Sequence, residues 1–353
     1  MEEKVSTTRK PIKKSALMFT ISIMAITLVF MMAVLIVTIS YFLNKDEEPT
    51  GVVLASGDAI YTEEELNQLI LEREEIAVDA LLADIKSDFD NGKSTVDILR
   101  SLYPELTVLA ADGKYHFFEL NENLALNPYI NSQFQVDENG FIAYNDDTMT
   151  SKKGIDVSKF QGEIDWNKVK TDGVEYAFIR MGYRGYGSSG KMVTDETFED
   201  NIKGAIANGI DVGVYFFSQA VTEEEAIEEA NYVLDAIEGY DITYPIVIDI
   251  EEVTDPDART ADLTKEQWTK NCIAFCETVK NAGYTPMIYG NLKTFFIMLD
   301  MEQLEDYDKW FAQYDTEVYF PYEFTIWQYT DEGTVDGISA DVDLNVGFFE
   351  STN

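Results

Sequence analysis

The sequence contains very little histidine and cysteine, and this shortage excludes several kinds of active site. Its 353 residues include one histidine, His116, and two cysteines. One histidine is too few for a metal site that needs several histidines, and it leaves little basis for a histidine-based catalytic triad. Cys272 and Cys276 are four residues apart in a helical pattern, a spacing that does not suit a relaxed disulfide. They are interpreted as a buried pair of small apolar side chains, without a disulfide framework.

Positive charge is also scarce. The chain has 26 Lys and Arg residues against 65 Asp and Glu residues, and its net charge is −39. Such acidity argues against nucleic acid as a partner, since phosphates need basic side chains, and against docking on anionic lipid. Hydrophobic residues make up 46% of the chain, which is ample for a large core, and its length has room for two or three domains.

Phosphate-binding loops are missing as well. Residues 182–190 (GYRGYGSSG) are rich in glycine but follow neither the GxxxxGK[ST] order nor the GxGxxG order, and no helix follows at once. This stretch is interpreted as a flexible rim loop.

One long apolar run lies near the N-terminus. Residues 16–43 are almost wholly apolar and exceed the roughly 20 residues that cross a bilayer. Basic residues precede the run, so the positive-inside rule predicts a cytoplasmic basic tail at residues 1–15 and an extracytoplasmic body after about residue 45. The sequence thus predicts a single-pass protein of the cell membrane, held by a transmembrane signal-anchor helix. A cleaved signal peptide is the alternative, but the run is too long and no clear cleavage site follows.

Residues 50–150 are predicted to form a small extracytoplasmic α+β module. Thr62 and Glu65 match a capping box that starts a helix ending near residue 89. Asp112 and Gly113 separate two strand patterns and predict a hairpin, in which His116 is interpreted as structural. The module is open to several roles: a stalk, a spacer, a regulatory domain or a surface for a protein partner.

From residue 154 the pattern alternates between strand and helix, which predicts an α/β barrel of parallel strands over residues 151–353. Residues 314–324 are too few for a crossover helix, so we expect five good βα units and irregular later strands. The strand candidates are residues 155–158, 176–181, 212–217, 246–250, 285–289, 309–313, 325–329 and 340–344.

Two acids at the end of the fourth strand candidate suggest a site. Asp249 and Glu251 are at i and i+2 on a short apolar strand, so their side chains share a face, with Cα atoms roughly 6.6 Å apart. Active sites of such barrels lie at the carboxyl ends of the strands. This rule predicts that further polar residues lie at the same mouth of the barrel. These are Asp156, Tyr215, Tyr289 and the acids of residues 341–345, with Tyr183, Phe217, Trp310 and Trp327 as aromatic candidates. Solvated loop acids and aromatic core packing are the alternatives.

Several pieces of residues 154–349 resemble the glycoside hydrolases of family 25, the muramidases (lysozymes) that cut bacterial peptidoglycan. In chain order they are GIDVSKFQGEIDW (154–166), EYAFIRMGYRG (175–185), GVYFFS (213–218), PIVIDIE (245–251), MIYGN (287–291), WFAQY (310–314), IWQYTDEGTVDGI (326–338) and VDLN (342–345). The combination is highly specific, and residues 1–150 lie outside it.

The resemblance implies a modified TIM-type (β/α)5(β)3 barrel and assigns roles to its residues. Glu251 matches the general acid, Asp249 its partner carboxylate, and Asp156 and Asp343 two further acids of the site. Asp341 is an alternative for the last acid, because the register of the final strand is open. The positions that match substrate-binding residues are Tyr215, Tyr289, Trp327 and Gln328. The family scheme requires no cofactor and no metal.

The implied reaction is cleavage of the β-1,4 bond from N-acetylmuramic acid to N-acetylglucosamine in peptidoglycan glycan strands. Glu251 is expected to stay protonated near neutral pH, and Asp249 to stay ionised. Two routes are open: activation of water with inversion, or attack by the substrate N-acetyl group with retention. The alternatives are a catalytically inactive wall-binding or scaffold barrel, and a related carbohydrase that acts on another polymer.

Overall fold

The computed structural model describes residues 52–53 and 60–349, apart from 138–139 and 147–148. The chain divides into two compact units, one that ends at Lys93 and one that begins at Ser94. The predicted basic tail and the predicted transmembrane helix at residues 16–43 lie outside the described residues. Within the described ranges, no helix combines the length and the apolar character needed to cross a membrane.

The first unit contains a short hairpin and a long helix. Strand β1 (Val52–Val53) pairs antiparallel with β2 (Ile60–Tyr61), and helix α1 (Glu63–Asp90) follows. The predicted capping box is confirmed, because Thr62 Oγ1 accepts a hydrogen bond from Glu65 N–H and the Glu65 carboxylate accepts one from Thr62 N–H. No residue of α1 is buried, so local hydrogen bonds rather than core packing define this helix.

The second unit begins with an accessory segment, residues 94–150. Its elements are α2 (Thr95–Leu102), β3 (Leu106–Ala111), β4 (Lys114–Glu119), β5 (Phe134–Val136) and β6 (Ile142–Tyr144). The predicted hairpin is confirmed: β3 pairs antiparallel with β4, and Asp112 and Gly113 take positive φ angles of 53° and 69° at its tip.

A closed barrel of eight strands forms the rest of the second unit. The strands are β7 (Lys152–Val157), β8 (Tyr176–Arg184), β10 (Asp211–Phe217), β11 (Ile246–Asp249), β12 (Pro286–Asn291), β13 (Asp308–Ala312), β14 (Ile326–Gly333) and β15 (Val342–Gly347), with β9 (Met192–Thr194) as an added edge strand on β8. Pairing of β8 with β10 closes the barrel. The predicted α/β barrel is confirmed, but β15 runs antiparallel to both neighbours, because the short link after β14 cannot make a parallel crossover.

Four helices cover the first part of the barrel. They are α3 (Trp166–Thr171), α4 (Phe198–Ala207), α5 (Glu223–Ala236) and α6 (Lys265–Asn281). A π-helical turn (Thr294–Met298) and a 3-10 turn (Met301–Leu304) follow β12. In the described residues no helix follows β13 or β14, in line with the expected irregular end of the barrel. Cys272 and Cys276 are buried and free on α6, as predicted.

The side chains inside the barrel form an apolar layer towards the strand starts. Its members are Tyr176, Phe178, Tyr244, Val247, Met287, Trp310 and Ile326. Gly154 makes room for this layer, since a Cβ there would lie 2.0 Å from Cζ of Tyr176. A second, larger core lies between the strands and the helices and includes Phe275 and Trp327.

The accessory segment packs where the barrel lacks a helix. Tyr319, in the link from β13 to β14, donates through its hydroxyl to Leu106 O (3.0 Å) and accepts from Val108 N–H (2.9 Å). Asn131 accepts from Val318 N–H (2.9 Å) and donates to Val318 O (3.1 Å). Backbone groups of the segment and of the barrel link thus find side-chain partners across this contact. Within the range predicted as one module, residues 50–150, the boundary between the two compact units falls between Lys93 and Ser94.

Candidate active site

A polar cavity of about 250 Å³ opens at the carboxyl ends of the parallel strands. Its lining residues are Asp156, Arg180, Tyr215, Phe217, Asp249, Glu251, Tyr289, Trp310, Tyr314, Gln328 and Asp343. The structure therefore brings together all four acids and three of the four substrate-binding residues expected from the sequence. Phe217 and Trp310 also line the cavity as expected, whereas Tyr183 and Trp327 do not.

Asp249 and Glu251 project into this cavity from the end of β11. Both face inward with Val247 below them, because every second residue of a strand shares a face. Asp249 is only 4% exposed, and its Oδ1 has no hydrogen-bond partner within the described part of the chain. Burial, followed by the nearby Glu251 and Asp156, raises the pKa of Asp249 well above its ordinary value. This direction favours the protonated form of Asp249, whereas the sequence analysis expected an ionised carboxylate.

Burial also raises the pKa of Glu251, although a hydrogen bond with Asp249 opposes this shift. The expected direction is confirmed. Glu251 is less deeply buried than Asp249, so it is the more solvent-accessible carboxyl of the pair. Burial thus raises the pKa values of both adjacent carboxyls at the mouth of the barrel.

Asp156 lies at the end of β7, where two chains of hydrogen bonds meet. Its Oδ2 accepts from Gln328 Nε2 (2.8 Å) and from Asn345 Nδ2 (2.9 Å). The Asn345 amide accepts in turn from Trp310 Nε1 (2.8 Å), and Gln328 Oε1 accepts from the Tyr289 hydroxyl (2.7 Å). Burial raises the pKa of Asp156 to about 6, and the two amide donors limit this rise by stabilising its anion. Asp156 is consequently ionised at neutral pH.

Asp343 rather than Asp341 is the fourth acid of the cavity. Strand β15 pairs Asp343 with Asp156, and Asp343 lines the cavity, whereas Asp341 is exposed. Burial, and then the charges of Asp156 and Asp331, raise the pKa of Asp343 to about 9. The register of the last strand, which the sequence left open, therefore selects this residue.

Arg180 is a cation of the cavity that the sequence analysis missed. It follows Tyr176 and Phe178 at intervals of two along β8 and so faces inward like them. Its Nε donates to Asp195 Oδ2 (2.7 Å), and its Nη2 lies 2.6 Å from the same oxygen. Because Asp195 neutralises the charge of the Arg180 guanidinium, Arg180 does little to stabilise the anionic forms of the cavity carboxyls. The two-residue period of β8 was the signal that could have identified Arg180.

Trp327, which the resemblance matches to a substrate-binding position, does not line the cavity. Trp327 is fully buried on the outer face of β14, packs against Phe134, and donates through Nε1 to Gln313 O (2.8 Å). Its neighbour Gln328 points inward, and adjacent strand residues face opposite sides of the sheet. The sequence therefore allowed only one of the two at the site. Tyr314, a second missed residue, places its hydroxyl 3.3 Å from Gln328 Oε1.

The four carboxyls do not form a recognisable metal centre. Within the described ranges of the chain, no group of three or more His, Cys, Asp or Glu side chains is arranged to hold a metal ion. His116 lies on β4, where its Nε2 is 3.3 Å from Ala111 O, and it does not line the cavity. Proton transfer between carboxyls and a ligand is the chemistry that the cavity can perform.

Comparisons with known proteins agree with this geometry. A sequence model described as Glycosyl hydrolases family 25 matches residues 155–338, more than half of the chain. The chain is similar to an autolytic lysozyme of Clostridium acetobutylicum, with 28% identity over 55% of each chain. It is also similar to lysozyme M1 of Streptomyces globisporus, with 29% identity over 55% of this chain and 66% of the relative. The match thus spans about half the length of the autolytic lysozyme.

Among solved structures, the fold is similar to that of the modular autolysin LytC from Streptococcus pneumoniae. The two chains share 25% identity and superpose with a TM-score of 0.51, over 69% of this chain and 58% of that one.

Proposed function

The chain belongs to the glycosyl hydrolases of family 25, and from this premise we propose that it is a peptidoglycan hydrolase. The proposed bond is the β-1,4 link from N-acetylmuramic acid to N-acetylglucosamine. One observation carries the proposal: Asp249 and Glu251 face the same cavity at the barrel mouth, which four acids line, two of them buried. Two similar proteins are named lysozymes, which supports the substrate class.

Glu251 acts as the general acid in this proposal. Glycoside cleavage needs a protonated carboxyl at the leaving oxygen, and burial raises the pKa values of both Asp249 and Glu251, which favours such a proton. Glu251, the more exposed of the two carboxyls, transfers its proton to the glycosidic oxygen. Asp249 then donates a hydrogen bond that stabilises the Glu251 anion left behind.

Asp156 supplies the negative charge near the anomeric carbon. It is the acid of the cluster whose carboxylate receives two amide donors, and its pKa of about 6 leaves it ionised at neutral pH. A fixed anion stabilises the oxocarbenium-like transition state. The second half of the reaction follows either activated water or the N-acetyl group of the substrate. The anomer first formed, read by NMR, separates the inverting from the retaining route.

The proposed location is the outer side of the cell membrane. The apolar run at residues 16–43 would hold the chain as a signal anchor, with residues 1–15 in the cytoplasm and the barrel facing the wall. Protease added to intact, wall-stripped cells should remove the barrel while a tag at the N-terminus stays protected. Protection of the barrel would contradict this orientation.

The test of the reaction uses residues 46–353 beside the Glu251→Gln variant. Purified peptidoglycan is digested, the products are reduced with borohydride, and the new reducing ends are identified by mass spectrometry. Muramitol ends from the wild type, with at least a tenfold loss in the variant, are the expected result for a general acid. Glucosaminitol ends would assign the other bond.

A catalytically inactive wall-binding barrel is the alternative from another functional class. It predicts binding to peptidoglycan without new reducing ends from either protein. The presence of all four acids in one cavity speaks against it. A related carbohydrase on another polymer would release ends from chitin-like glycan but none from peptidoglycan.

A further inference from the structure

Lys293 joins three parts of the second unit beside the candidate catalytic pair. It follows β12 and is 18% exposed. Its Nζ donates to Asp112 Oδ1 (2.6 Å), at the tip of the accessory hairpin, and to Glu252 Oε2. Glu252 is the residue after Glu251. Asp112 lies outside residues 155–338, the region that the family model matches. Lys293 thus links it to Glu252, the residue after the proposed general acid.

The residue before Glu251 is held from the same segment. Thr294 is 1% exposed, and its hydroxyl donates to Ile250 O (3.0 Å). Ile250 N–H donates to Tyr289 O (3.1 Å). The chain is therefore held on both sides of Glu251. The backbone of Ile250 is bonded to Thr294 and Tyr289, and the side chain of Glu252 is bonded to Lys293.

Asp112 completes this arrangement from the hairpin tip. The hydrogen bond from Lys293 lowers the pKa of Asp112. Partial burial opposes a rise in the pKa of Lys293, but its hydrogen bonds to the Asp112 and Glu252 carboxylates raise it above its ordinary value. The same residues border a groove of about 420 Å³ beside the candidate site, lined in part by Val253, Leu263 and Trp268. The tip of the accessory hairpin thereby forms part of the wall of this groove.

We propose that Asp112, Lys293 and Thr294 are positioning residues that fix the Glu251 carboxyl for proton transfer, so that the accessory hairpin is an integral part of the active site. The inference rests on the proposed function of Glu251. It assigns the hairpin a catalytic purpose beyond that of a stalk or spacer. We call the contacts that Asp112, Lys293 and Thr294 make around Glu251 the latch. Loss of the latch lets the chain after Ile250 move. A small misplacement of a catalytic group then lowers the turnover rate while binding is retained.

The first experiment compares Asp112→Asn with Glu266→Gln. Asn tolerates the positive φ of 53° at residue 112, so this variant removes the charge without straining the turn. Glu266 forms a matched exposed pair with Lys270, also at 2.6 Å, on α6. We expect Asp112→Asn to lower kcat about threefold to fivefold with KM unchanged, while Glu266→Gln leaves both unchanged.

The linkage is then tested with a double variant. Lys293→Met should lower kcat about tenfold, and Asp112→Asn in the Lys293→Met background should lower it no further, because the two residues act through one contact. Multiplying losses would overturn the proposal. Thr294→Val should lower kcat about tenfold while Thr294→Ser, which keeps the hydroxyl, stays near wild type. An equal loss in both Thr294 variants would also overturn it.

A readout that does not use activity separates failure of the latch from failure of the proposed function. Hydrogen exchange of the peptide around residues 248–254, followed by mass spectrometry, should speed up in Asp112→Asn and in Lys293→Met but not in Glu266→Gln. Unchanged exchange in the first two variants refutes the latch whether or not the wild type cleaves peptidoglycan. Faster exchange in a protein without activity supports the latch and refutes the proposed function.

Discussion

The two layers inside the barrel are built on the same strands but have opposite chemistry. Along β11 the inward side chains pass from Val247 to Asp249 and then to Glu251, and along β14 from Ile326 to Gln328. The apolar layer excludes water and contributes burial of large side chains. The acid layer, which consists of Asp156, Asp249, Glu251, Gln328, Asp343 and Asn345, buries carboxyls whose pKa values rise as a result. The apolar layer therefore stabilises the barrel, whereas the acid layer lowers its stability and provides the reactive groups.

The largest expected effect comes from neutralising Glu251 in the acid layer. Glu251→Gln should lower the rate of glycan cleavage by about 10²–10⁴-fold, because no proton reaches the leaving oxygen. Its free energy of unfolding should be unchanged or higher, since Gln carries no charge to bury. Rate assays and urea unfolding measure the two quantities, with exposed Asp341→Asn as the control. Parallel losses of stability and rate would contradict the distinction between the layers.

A change in the apolar layer should have the reverse outcome. Met287 is fully buried, so Met287→Ala should lower the free energy of unfolding by about 2–5 kcal/mol through the lost side chain and the cavity left behind. Met287→Leu, which keeps the volume, should lower it by less than about 1.5 kcal/mol. Urea unfolding of both variants provides the measurement. Equal stability of the two variants would mean that tight packing is unimportant in this layer.

The pH dependence of stability tests the acid layer more finely. The folded pKa of Asp343, about 9, lies above its ordinary value of 3.8. Folded protein therefore binds this proton more tightly than unfolded chain, and the contribution of Asp343 to stability, complete below about pH 4, is lost as the pH rises through about 9.

Asp343→Asn cannot ionise and should therefore be more stable than wild type at pH 9. The expected difference in free energy of unfolding is about 1–2 kcal/mol after allowance for solvent screening, and it should shrink towards zero near pH 4. Urea unfolding across this range measures it, and Asp341→Asn should show no such trend. A difference that is constant with pH would contradict the burial of an ionisable Asp343.

The smallest expected effect concerns the hydrogen bonds that stabilise the Asp156 anion. Gln328→Met removes one of the two amide donors, so the pKa of Asp156 should rise above its value of about 6. NMR titration of the Asp156 carboxyl carbon measures this shift. Gln303→Met, at an exposed glutamine bonded to Asp300, is the control. A titration unchanged by Gln328→Met would show that Asn345 alone stabilises the anion.

Several features could be predicted from local sequence alone, because they depend on neighbouring residues. The capping box at Thr62, the Asp112–Gly113 turn and the alternation of strands with helices all follow from hydrogen bonds or side-chain periods within a few residues. The shared face of Asp249 and Glu251 follows from the two-residue period of a strand. The same period, applied to Trp327 and Gln328, would have excluded the tryptophan.

Long-range packing determined the features that local pattern left open or misjudged. The antiparallel pairing of β15 selects Asp343 over Asp341, since strand register depends on partners far along the chain. The raised pKa of Asp249 depends on burial and on carboxyls that include the distant Asp156. Contacts of Tyr319 and Lys293 with the accessory segment span more than 180 residues, and no sequence period reports them. Local chemistry thus specified the strands and their faces, whereas closure of the barrel fixed which side chains meet and which of them are charged.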